Sequence, residues 1–116
     1  MRYTRDNSLN TAYSIVSDRI RALPEYRNAR ELALESAVRR VFDYDRDGPT
    51  VAVLRRMGGF TRIAEYALEM LPEHYRADKG SKMFPRSVVD ELRADLPALR
   101  EDLQTRVARE VSRRRG

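Results

Sequence analysis

The chain has 116 residues, 23 basic against 18 acidic side chains, a net charge of +5, one histidine and no cysteine, and its length is close to the commonest size for one domain. Without cysteine there can be no thiol nucleophile, Cys-ligated zinc, iron–sulfur cluster or disulfide framework, and a reducing compartment suits such a chain. No apolar run approaches the roughly 20 residues that cross a bilayer, and the charged opening at Arg2, Arg5 and Asp6 is unlike a secretory signal. A soluble, cytoplasmic protein is therefore expected, with one helical domain over residues 1–116.

Residues 1–8 read as a flexible arm, because the first helical pattern starts after Ser8, a plausible N-cap. Leu9, Ala12, Tyr13, Val16, Ile20 and Leu23 then recur at steps of three or four, up to Pro24. A second helix is predicted over about 25–42, with Ala29, Leu32 or Ala33, Ala37, Val38, Val41 and Phe42 on one side. Arg30, Glu31, Glu35 and Arg39 are left for solvent.

The acidic stretch 43–48 and Pro49 halt that pattern, since Gly48 and Pro49 break helices and clustered Asp residues favour turns. Thr50–Met57 reads as a short helix with Pro49 in its first turn, because its Val-Ala-Val core has no second strand-like run to pair with. Gly58 and Gly59 break the chain again. Phe60, Ile63, Ala64, Ala67, Leu68 and Leu71 then form an apolar stripe ending at Pro72.

Residues 72–86 hold two prolines, Gly80 and both lysines with little periodicity, which predicts a long loop and hinge. From 87 to 115 the chain shows its strongest amphipathic pattern. Val88, Leu92, Leu96, Leu99, Leu103, Val107 and Val111 step by three or four, with Ser87 and Asp90 in a cap-like arrangement. Pro97 should kink this segment or start a second helix. The expected fold is all-α: a small orthogonal or bundle-like domain of five or six helices, with a long C-terminal helix kinked or divided at Pro97.

Three local patterns bear on function. Asp43, Asp45 and Asp47 occupy positions one, three and five of an EF-hand-like loop, with Gly48 at the turn, but position twelve is Leu54 rather than a bidentate Glu. A solvated turn is the favoured alternative, and no metal or other cofactor is expected. The helix–Gly58-Gly59–helix arrangement over 50–71 echoes a helix-turn-helix. Its outward face would hold Arg62, Glu65, Tyr66 and Glu69, however, and carboxylates are repelled by the phosphates lining a groove.

The third pattern is charge polarity. Residues 90–102 carry five acids against two arginines, whereas 106–116 carry five arginines against one Glu. Arg106, Arg109, Arg113, Arg114 and Arg115 could neutralise phosphates or an acidic partner, or could simply complement the helix dipole. Arg39, Arg40, Arg55 and Arg56 are ambiguous in the same way. The stripe Leu99, Leu103, Val107 and Val111 is a candidate protein interface or self-association seam, or else packs on its own chain.

Catalytic groups are scarce. His74 stands alone in the loop, and there is no phosphate cradle, nucleophile turn or paired histidine. The expectation is a non-enzymatic regulatory or adaptor protein that binds another macromolecule through its basic C-terminal helix. Nucleic-acid binding is the alternative; neither a membrane nor a small-molecule substrate is indicated.

Overall fold

The computed structural model describes residues 2–46, 49–71, 76–77, 80–81 and 84–115, and among these lie six helices and one short antiparallel ladder. The helices are α1 (Arg2–Arg21), α2 (Pro24–Tyr44), α3 (Val51–Arg56), α4 (Gly59–Glu69), α5 (Arg86–Ala94) and α6 (Leu96–Arg115). The all-α, bundle-like expectation holds.

α1 begins at Arg2 rather than at Ser8, so the expected arm is helical. No Pro or Gly interrupts residues 2–21, and an established helix propagates readily through such sequence. Its apolar stripe is helical but uncovered at Tyr13, 73% exposed, and Val16, 54%, whereas Ile20 packs partly buried against the core. α1 packs mainly on α5 and α2, at its C-terminal end, where Ser17 and Arg21 bond Glu91. The molecule is correspondingly elongated, with a radius of gyration of 17.0 Å where a compact chain of this length would have about 13 Å.

Pro24 opens α2 as its first residue. It holds Leu23 in extended backbone at φ −71°, ψ 139°, as the residue before a proline prefers. Tyr26, Ala29, Ala33, Leu34, Ala37, Val41 and Phe42 make one buried face. The small residues in that face allow close approach of α4 and α6, both of which pack on α2. α2 runs two residues further than expected, through Tyr44, and ends when the Asp45 N–H donates to the Val41 carbonyl.

α3 starts one residue later than read from the sequence. Thr50 is its N-cap, with Oγ1 accepting from the Val53 N–H at 3.1 Å, so Pro49 lies outside the helix. Gly58 and Gly59 both adopt positive φ, +89° and +85°. Such backbone is strained for any residue with a Cβ, and it lets α4 start immediately after α3. Ile63, Ala64, Ala67 and Leu68 are buried as the stripe predicts.

The 72–86 segment is not wholly irregular: Arg76–Ala77 and Gly80–Ser81 form a two-residue antiparallel ladder, and Phe84 is buried in the core. The proposed hinge otherwise falls largely outside the described residues. α5 is entered from Pro85, whose carbonyl accepts from the Val88 and Val89 N–H groups. Ser87 is therefore inside the helix and not its cap. The division at Pro97 takes the two-helix form. Asp95, at φ −108° and ψ 32°, separates α5 from α6, and Pro97 is the second residue of α6, where an N–H has no intrahelical acceptor to lose.

The core lies among α2, α4, α5 and α6, with Leu71 and Phe84 closing it. Leu99, Leu103 and Val107 are at most 2% exposed, and Val111 packs against the same cluster. The C-terminal stripe is thus satisfied within its own chain, because α6 lies against α4 and α2. Of the two readings of this stripe, packing on its own chain is the one seen for Leu99, Leu103 and Val107, with Val111 partly buried. Among the described residues no helix is long and apolar enough to cross a membrane.

Candidate anion-binding face

Three contacts fix how α6 lies on α2. Arg30 pairs with Asp102, Glu31 with Arg106, and the Arg114 guanidinium sits 4.2 Å from the centre of the Phe42 ring. Residue numbers rise together along both helices, so they run parallel and their C-terminal ends lie side by side. Helix C-termini carry partial negative charge from unpaired carbonyls. Here they are met by arginines: one Arg114 nitrogen donates to the Arg46 carbonyl at 3.4 Å.

Two adjoining grooves open along this end. The first, about 460 Å³, lies between α2 and α6. Val38 and Phe42 line it together with Arg39, Arg106, Arg109, Arg113 and Arg114, and its acids are Glu35, Asp43 and Glu110. The second, about 430 Å³, lies on the α4 side of α2 and is lined by Ser36, Arg39, Arg40, Asp43, Tyr44, Tyr66 and Met70. Arg39 and Asp43 border both, so the two form one continuous surface.

The acids of this end differ in how they are engaged. Glu110 accepts from Arg113 at 2.6 and 3.0 Å and from Arg114 at 3.0 Å. Those guanidinium bonds, Arg113 first, hold its carboxyl below the usual range, and the Arg113 guanidinium is raised in return by the bond to Glu110. Glu31 is likewise lowered by its hydrogen bonds from Arg106, which is itself raised by them. Such pairing orients Arg106, Arg113 and Arg114, all of which line the first groove.

Arg39 and Arg109 make no ion pair or side-chain hydrogen bond with the described residues, and both are exposed. Arg40 stacks on Tyr66 with its guanidinium carbon 3.9 Å from the ring centre. That contact uses its planar face and leaves its N–H donors at the edge. The groove therefore combines two uncommitted guanidinium groups with four oriented ones.

The other arginines read from the sequence stand apart. Arg55 and Arg56 are exposed on α3, which packs on α4, and neither lines the grooves. Arg62 is engaged by Glu65 and Glu69 of its own helix. Arg115 is exposed at the end of α6, beyond the lining residues. The helix-turn-helix reading also loses its outward tyrosine, since Tyr66 turns toward Arg40 and α4 is packed by both α2 and α6. α4 packs on both helices through its buried face and leaves Arg62 and Glu69 exposed.

For the calcium reading, Asp43 lies in the last turn of α2 and not at the start of a loop. Asp47 and Gly48 lie outside the described residues, as does His74. Among the described residues no three acidic, histidine or cysteine side chains gather as a metal site. The sequence reading missed Phe42 and Tyr44 as parts of a site and placed Tyr66 on a different face, apart from Arg40. The i, i+4 spacing of Arg40 and Tyr44 on α2 was the available signal. The chain matches no known family model, no curated protein and no solved structure.

Proposed function

We propose that this is a non-enzymatic regulatory protein that binds the phosphate backbone of a nucleic acid through the α2–α6 arginine face. One observation carries the reading: parallel packing of α2 and α6 gathers Arg39 and Arg40 with Arg106, Arg109, Arg113 and Arg114 around two joined grooves. Planar guanidinium groups suit bidentate phosphate contacts. A protein partner seated on the C-terminal apolar stripe is disfavoured, because that stripe is in the core. The cysteine-free composition suits a reducing compartment, and a cytoplasmic site of action is part of the proposal.

The test is fluorescence anisotropy with labelled nucleic acid over a salt series, comparing the full chain with an Arg39→Ala/Arg109→Ala variant. Each phosphate that is no longer neutralised should lower the slope of log affinity against log salt by about 0.7–0.9. The double variant is therefore expected to lose up to about two units of slope. Absent binding at low salt, or binding indifferent to salt, would overturn the reading and leave an acidic protein as the partner to seek.

A further inference from the structure

The first groove sets its arginines around Val38 and a Phe42 ring that Arg114 covers, whereas the second offers an exposed aromatic ring. Tyr44, at the last turn of α2, is 52% exposed beside that groove. Tyr66 is already covered by Arg40, so the Arg40 plane is presented with a ring behind it. Met70 adds a polarizable apolar wall. Asp43 lies on the rim shared with the first groove, where a carboxylate opposes phosphate but can accept from the exocyclic amino group of a base.

Resting on the backbone-binding reading above, we propose that the ligand is a single-stranded nucleic acid. Its backbone passes Arg39 and Arg109, and one of its bases enters the second groove to stack on Tyr44, beside the Arg40–Tyr66 pair. The physical ground is access. In a duplex the base faces are stacked on one another and cannot reach Tyr44, so an aromatic-lined groove next to an arginine track is useful only to an unpaired strand. Duplex binding would need the arginines and nothing more. Arg39, on the border of both grooves, is placed to hold the phosphate next to the inserted base.

The experiment compares labelled single strands of about 15 nucleotides, in DNA and RNA form, with a duplex of the same sequence. The full-length protein and its Tyr44→Ala, Tyr44→Phe and Arg39→Ala/Arg109→Ala variants are each measured. Tyr44→Ala should weaken single-strand binding about five- to a hundred-fold, leave the salt slope and the duplex affinity unchanged, and be rescued by Tyr44→Phe, which keeps the ring. Because Tyr44 is half exposed, thermal melts of these variants should superimpose on that of the parent.

Duplex affinity equal to or above that of the single strand would overturn this inference, as would a Tyr44→Ala variant that binds like the parent. In those cases a salt-dependent weakening in the arginine double variant would still uphold the broader backbone-binding reading. No binding of either nucleic acid would remove both.

Discussion

The guanidinium of Arg106 in α6 donates two hydrogen bonds to the Glu31 carboxylate of α2, at 2.6 and 3.0 Å, and so sets the register between the helices that form the basic face. This fork links residues 75 apart in sequence, and its Arg106 lines the first groove. Its geometry bears on stability and on the placing of the arginines beyond it.

The pH dependence of that link has a definite sign. The Arg106 bonds lower the Glu31 carboxyl below its unfolded value. Its contribution is therefore present above the ordinary carboxylate range and is lost as pH falls through the depressed folded value. With the two side chains 30% and 49% exposed, solvent screening limits the pair to about 1 kcal/mol or less. Urea unfolding should show Glu31→Gln less stable than the parent near about pH 7, with the difference shrinking as pH falls below the ordinary carboxylate range. A difference that stays constant across that range would contradict the assignment.

Leu92 and Val16 occupy comparable places in two helical stripes, yet Leu92 is 1% exposed and Val16 54%. Leu92→Ala should cost about 2–5 kcal/mol by leaving a cavity among α5 and its neighbours. Val16→Ala should stay within about 0.5 kcal/mol. Chemical denaturation of the two variants checks the contrast, which would fail if both losses were alike.

At the α3–α4 turn the two glycines should differ. A Cβ at Gly58 would lie 2.9 Å from both Cβ and Cγ of Arg62, whereas at Gly59 it would meet nothing within 4 Å. Both positions carry the left-handed penalty of about 1–2 kcal/mol, and Gly58→Ala adds the clash. Melting temperatures should therefore fall further for Gly58→Ala than for Gly59→Ala.

Arg114 has a structural role as well as a place in the groove, since it covers Phe42 and bonds Glu110 and the Arg46 carbonyl. Arg114→Ala should lower stability by about 0.5–1 kcal/mol through the ring contact as well as weakening anion binding. Arg109→Ala should weaken binding without moving the unfolding midpoint. Paired unfolding and binding curves separate the two roles.

Much of the fold was legible because helix periodicity is a local property. The stripe from Ile63 to Leu71 and the one from Val88 to Val107 are buried where their spacing placed them, and Gly58, Gly59 and Pro97 mark real boundaries. Errors came where a local rule had two outcomes. Ser8 and Ser87 can cap a helix or sit inside one. A stripe such as Tyr13–Val16 says that one face is apolar, without saying that anything covers it.

Helical character along the chain, the positions of most breaks and the surplus of arginine at the C-terminus all follow from the order of the residues, since each depends on neighbours within a few positions. Packing in three dimensions alone sets which apolar stripe is core and which is exposed, and brings Arg39 and Arg40 beside Arg106–Arg114. Those facts depend on α2 and α6 running parallel, a relation between residues as far apart as the 75 positions that separate Glu31 from Arg106. That arrangement comes from the summed packing of Ala29, Ala33 and Ala37 with the α4 and α6 faces and from pairs such as Arg106–Glu31. No short-range pattern encodes it.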